Sequence, residues 1–189
     1  MSDHRTAGTL YHLLTKNEHR GELLLPLAEL RNRYPDLYER HAAKYAGRHA
    51  AMTQPVPPLD CTWEDVVFLS PVHPAPLFAA LQRSGRKVGQ PEPATLDAGR
   101  LDPARCVIKL MRHGTDGHYP DQPDEHDYLP LTTATLRAVN RVTIDAVARL
   151  EQLQPNDPWL PWVDVPHVLH RGPIPFDWFD RPNAARAGN

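Results

Sequence analysis

Asp65-Val66-Val67-Phe68-Leu69-Ser70 is the stretch whose reading decides the fold. Four consecutive apolar residues, three of them β-branched or aromatic, fit neither strict alternation nor a 3.6-residue period. Such a run suits a strand covered on both faces, and so a central, buried position. Pro71 and Pro74 follow it, and Pro74 to Ser84 reads as a short helix closed by Gly85. Cys106-Val107-Ile108-Lys109-Leu110-Met111 repeats the strand pattern. Between them, residues 86–103 are rich in Gly, Pro and Asp and read as an exposed loop.

Towards the N-terminus, Thr9 to Leu14 forms a first β-favouring segment, and Leu23-Leu24-Leu25 is a short apolar stretch compatible with strand or helix entry. Leu27 to Arg33 reads as a helix ended by Pro35, which also suits the first turn of a second helix running to Gly47. On that second helix Leu37, His41 and Tyr45 share one inward face. Towards the C-terminus, residues 114–129 form a polar, acidic loop. Thr133 to Gln154 reads as one long helix whose inner stripe is Leu136, Val139, Thr143, Val147 and Leu150. A strand over Val165 to His170 follows, assigned to a sheet edge because Pro166 cannot donate to a ladder. The tail Ile174 to Phe179 closes the order.

The expected architecture is α+β: a small twisted mixed or antiparallel sheet of about five or six strands with three to four helices around it. The 189 residues suit one domain spanning 1–189, with frayed ends at about 1–7 and 183–189. A net charge of −2 supplies no global positive field for nucleic acid. Seventeen of the 21 basic residues are Arg, which together with abundant Ala and Pro reflects coding composition more than function. Cys61 and Cys106 belong to no CxxC pair and read as buried, reduced thiols. No apolar run reaches the length of a membrane span and no hydrophobic signal region opens the chain, so the expectation is a cytoplasmic protein with no membrane partner. The 21 prolines cut the chain into short elements joined by stiff loops.

Three constellations bear on chemistry. Leu110-Met111-Arg112-His113-Gly114-Thr115 ends a strand in Arg-His-Gly-Thr and resembles the phosphate-binding motif of histidine phosphatases. In that family the motif follows the first strand, whereas 111 residues precede Arg112, so phosphate handling by Arg112 and His113 is an alternative reading only. His113, His118 and His126 share the acidic loop, but their spacing matches no metal-ligand motif and no metal is expected.

The third constellation is an order of short motifs: Leu10-Tyr11-His12 on the first strand, Gly21-Glu22-Leu23-Leu24, then Leu69-Ser70-Pro71 closing an apolar strand before a helix. A further strand, Val107 to Met111, and a late Ile174-Pro175 complete it. This order resembles ADP-ribosyltransferase-like proteins across roughly residues 9–180. The resemblance implies NAD as substrate, with a nucleotide as small-molecule partner and an acceptor, protein or nucleic acid, that it does not identify. It implies that His12, with Tyr11 beside it, contacts the ribose and carboxamide, and that Ser70 supports the nicotinamide. His73 and Arg112 stand where phosphate or nucleotide contacts are expected. The family's late Glu has no counterpart; Asp164 is the nearest carboxylate and would be the catalytic acid beside His12. Relatives with RNA 2′-phosphotransferase activity use Arg and His instead.

The structural alternatives are equally specific. His12 can be a hydrogen-bonded structural imidazole, Ser70-Pro71 a strand end, and His73-Pro74 a helix cap. Trp159, Trp162, Trp178 and Phe179 pack a C-terminal segment onto the core, or present a Pro/Trp-rich surface of a non-catalytic interaction domain.

Overall fold

The computed structural model describes residues 6–14, 20–46, 49–111, 124–154, 156–157, 161–162 and 164–181. In chain order the elements are β1 (Thr9–His12), β2 (Leu23–Leu24), α1 (Leu27–Arg33), α2 (Pro35–Ala42), β3 (Pro55–Val56), β4 (Cys61–Thr62), β5 (Val66–Leu69) and α3 (Ala75–Arg83). There follow β6 (Ala94–Asp97), β7 (Cys106–Lys109), β8 (Tyr128–Pro130), α4 (Thr133–Val139), α5 (Ile144–Glu151), β9 (His167–Arg171), β10 (Ile174–Pro175) and β11 (Phe179–Asp180). The chain is α+β, and every strand pairing described is antiparallel. No helix among the described residues is long and apolar enough to cross a membrane.

A four-stranded sheet runs β5-β9-β7-β8 and a three-stranded one β1-β6-β11; β2 pairs with β10 and β3 with β4. The two larger sheets meet at one bridge. Tyr11 N–H donates to Ser70 O at 2.8 Å and Ser70 N–H donates to Tyr11 O at 2.9 Å.

The apolar run at 66–69 is explained by what lies on its two faces. Val67 and Leu69 join Leu10, Leu96, Ile108, Val168 and Ile174 in the core between the sheets. Val66 and Phe68 face the other way, onto Val56, Leu59, Val107, Leu169 and Trp63. Burial on both faces removes the alternation that a half-exposed strand would show. A third cluster joins α3 to α5 through Leu77, Leu81, Ala146, Leu150 and Val165. A fourth, Leu25, Leu30 and Leu37, holds α1 against α2.

Five expectations are corrected. In place of one sheet of about five or six strands, the described strands form separate sheets of four, three, two and two. β5 is the outer strand of its sheet, not a central one. β9 is central, between β5 and β7, although Pro166 precedes it; the proline lies just outside the first paired residue, His167, so the ladder loses no donor there. The segment 86–103 holds β6, the middle strand of its sheet. Only Ala94 and Leu96 of β6 point inward, an alternation too brief to stand out beside Pro91 and Pro93.

The long helix of 133–154 is two helices. Thr143, read as part of the inner stripe, instead accepts a hydrogen bond from Ala146 N–H at 3.1 Å and caps α5. Leu136 therefore packs on the sheets and Leu150 on α3. At the N-terminus, Thr6 Oγ1 donates to Leu131 O at 3.4 Å, and Ala7 N–H to Thr133 Oγ1 at 2.8 Å.

Candidate functional site

The site grows from the outer edge of β5. In an antiparallel ladder, alternate residues of one strand point their N–H and C=O at the same neighbour. Gly172 N–H donates to Asp65 O, which sets residues 65, 67 and 69 towards β9. Residues 66, 68 and 70 therefore point away from β9, and Ser70 does so in its bridge to Tyr11. Continued by two residues, that bridge would bring Leu13 N–H to Phe68 O. His12 takes the carbonyl instead, with Nδ1 3.0 Å from Phe68 O. A carbonyl only accepts, so Nδ1 carries the proton. The side chain of His12 thus replaces the backbone at the point where the ladder stops.

Beyond that point the edge of β5 borders a cavity of about 720 Å3 lined by Val66 to Ser70, by Tyr11, His12 and Leu13, and by Leu23 to Leu25 of the β2 region. Its opposite wall is Leu27 and Leu30 of α1, His41 of α2, and Lys44 and Tyr45 of the 3-10 turn that ends α2. Arg31 of α1 holds this wall to the turn before β5 through Glu64 at 2.5 Å. Aromatic rings supply much of the lining. Trp63 tilts onto Phe68 with ring centroids 4.6 Å apart, and its indole N–H donates to Tyr45 Oη at 3.3 Å. Phe78 and Trp162 also line the cavity.

Three imidazoles reach it: His12, His41 and His167. His167 lies edge-on to Phe68, with ring centroids 5.9 Å apart. Burial pushes its pKa down to about 4, opposed by a hydrogen bond to the Trp162 backbone, so the ring is neutral at physiological pH. Its cross-strand partner is Lys109, which in turn faces Tyr128, and the ammonium sits 4.5 Å from the Tyr128 ring centroid. Burial lowers the Lys109 pKa, with the Asp127 and Asp124 charges opposing. At the opposite wall the Lys44 ammonium lies 3.4 Å from His41 Nδ1. A charged ammonium only donates, so that nitrogen accepts. Arg20 also lines the cavity and grips Asp36 with bonds of 2.9 and 2.7 Å. The site therefore offers three imidazoles, aromatic rings and two cations. Among the described lining residues there is no carboxylate.

Of the residues singled out in the sequence, Tyr11, His12 and Ser70 come together on this cavity. The Ser70 hydroxyl is engaged locally, donating to Val72 O at 2.9 Å and accepting from Val72 N–H at 3.0 Å. His73 is exposed and outside the lining; its Nδ1 accepts from Ala75 N–H at 3.1 Å at the start of α3, and its ring meets Tyr11 edge-on at 4.9 Å. Asp164 is not at the cavity. It pairs with Arg149 of α5. Arg112, His113, His118 and Trp159 lie outside the described residues. His126 is bound to Asp124 at 2.9 Å on the surface.

Among the described residues no group of three His, Cys, Asp or Glu could hold a metal. Both thiols are raised by burial, that of Cys106 to about 12. Trp178 packs partly buried against the core, and Ile144 is the exposed large apolar side chain among the described residues.

His41, Lys44, Trp63, Trp162 and His167 were not singled out as site residues. His41 had a signal, its place with Leu37 and Tyr45 on one helix face. His167 lies on the strand that the sequence reading places at a sheet edge. Comparison of the chain with protein-family models, with curated proteins and with solved structures finds no match.

Proposed function

We propose that the cavity beside β5 binds a nucleotide, with NAD the ligand that the resemblance to ADP-ribosyltransferase-like proteins favours. The observation that carries the reading is the convergence of Tyr11-His12 with Ser70. The two motifs are far apart in sequence, and His12 and Phe68 meet across 56 residues at the rim of one cavity. Its volume of about 720 Å3 lies within the range of small-molecule sites, roughly 300–1,000 Å3. Aromatic walls suit a base or nicotinamide ring, and Lys44 places a cation on the lining, where a pyrophosphate would be favoured.

The proposal is of binding, with His12 as the contact residue. Cleavage of the nicotinamide–ribose bond builds positive charge at the ribose, which a nearby carboxylate would stabilise. Asp164 is committed to Arg149 instead, so it is not assigned that role. Transfer of ADP-ribose, or the 2′-phosphotransfer of the Arg- and His-dependent relatives, would need groups beyond those described at the cavity.

Thermal unfolding with and without NAD tests the reading. A ligand held only by the native state stabilises by about 2.7 kcal/mol at a hundred times its Kd. NAD should raise Tm in a saturable way, and His12→Ala should weaken the apparent affinity at least several-fold. No shift at millimolar NAD, or an unchanged affinity in His12→Ala, overturns it.

A further inference from the structure

Resting on the nucleotide reading above, we infer that the open edge of β5 is the ligand-reading element. The carbonyl of Val66 and the N–H of Phe68 together receive a planar group that carries a hydrogen-bond donor and acceptor side by side.

The argument is one of register. Residues 66, 68 and 70 aim their backbone groups away from β9, because Asp65 O is the acceptor for Gly172 N–H. Ser70 satisfies both its groups on Tyr11, and Phe68 O is met by His12 Nδ1. The next outward groups along the same edge are Phe68 N–H and Val66 C=O, and this part of β5 lines the cavity rather than another described strand. Among the described residues neither group has a hydrogen-bond partner, and a strand edge that sets a donor beside an acceptor is complementary to a ligand that carries the reverse pair. An outward C=O at one residue and N–H two residues later complement an amino group next to a ring nitrogen, or the N–H and C=O of a primary amide. The shared ligand chemistry is thus an amidine or primary-amide edge on a flat ring. Trp63 and Tyr45 add aromatic lining to the same cavity. NAD carries such an edge at each end, on adenine and on the carboxamide.

Phe68 N–H can be observed directly. The chain has four phenylalanines, so selective 15N-phenylalanine labelling reduces the amide spectrum to four signals, and the one lost in Phe68→Tyr is Phe68. The probes are adenosine against purine riboside, which lacks the amino group, and nicotinamide against nicotinic acid, which lacks the amide N–H. The expected result is a saturable downfield shift of the Phe68 amide, larger than that of the other three. The amino- or amide-deleted analogue should bind about tenfold more weakly, as loss of one buried hydrogen bond implies. The arm that shows this, adenosine or nicotinamide, identifies the ring on the edge.

An adenosine, nicotinamide or NAD complex that leaves the Phe68 amide unmoved overturns the inference. If that complex is with NAD and is weakened in His12→Ala, the nucleotide reading survives. A Phe68 shift with adenosine or nicotinamide but no binding of NAD leaves the edge assignment standing and removes NAD as the ligand. No binding of any probe overturns both.

Discussion

Acidification should weaken this fold through His167 in a measurable way. In the folded chain its pKa is pushed down to about 4 by burial, whereas an unfolded histidine titrates near 6.5. Above pH 6.5 the ring is neutral in both states and its contribution to stability is fully present. As pH falls below 6.5 the unfolded chain takes up a proton that the folded chain refuses, so stability declines until the folded ring titrates near pH 4. For those two values the loss is about 2 kcal/mol at pH 5 and about 3 kcal/mol at pH 4.

The perturbation is His167→Gln, which removes the titration and keeps a neutral polar side chain. Urea unfolding of both proteins at pH 7 and pH 5 provides the assay. With a urea slope of about 2 kcal/mol per molar, the parent midpoint should fall by about 1 M more than that of the variant. His170, whose pKa is also lowered by burial, shifts both proteins alike and cancels in the difference. Equal losses in the two proteins, or a His167 ring signal titrating above pH 6 in the folded state, would refute the reasoning.

Other substitutions probe the elements that build the site. Thr143→Ala deletes the cap of α5 and should cost about 1 kcal/mol, lowering Tm by about 2–4 °C in a thermal scan. Gly172 has φ +87, and a Cβ there would stand 2.4 Å from the Arg105 guanidinium, which bonds Arg171 O. Gly172→Ala should cost about 1 kcal/mol for the left-handed backbone, with the end of the flexible Arg105 side chain moving aside, and an effect near zero in denaturant unfolding would contradict the backbone argument. Leu37 is fully buried between α1 and α2, so Leu37→Ala should cost about 2–5 kcal/mol and loosen the wall opposite β5. Its signature is increased amide exchange over 27–42 before global unfolding; protection equal to the parent's would argue against it. Cys106 should resist alkylation at pH 8 in the folded protein and react on unfolding, because burial holds its thiol near 12.

The local signals that were strongest in the sequence are those that short-range physics controls. The strand at 66–69, the two helices that meet at Pro35, the helix after Pro74 and the strand at Cys106 all rest on unbroken apolar runs or on proline's fixed φ. The α+β class followed from their order. Tyr11, His12 and Ser70 were also legible, as short motifs flanking strands. What sequence alone could not supply was the neighbour of each strand. Pro166 carries the same local information whether β9 is central or at an edge; only its pairing with both β5 and β7 shows that the missing N–H falls outside the ladder. Thr143 fits a helix stripe by spacing, and its side chain becomes a cap because Leu136 and Leu150 are drawn to different clusters. His167 has no local signature at all: its depressed pKa comes from burial by residues distant in sequence. Composition and spacing thus determined the strands and helices that rest on unbroken apolar runs or on proline, since those choices depend on a few adjacent residues, and left β6 and the break at Thr143 unread. The cavity, its three imidazoles and the outward-facing edge of β5 were decided by tertiary packing, because hydrogen-bond register and desolvation belong to the partners a strand meets in space.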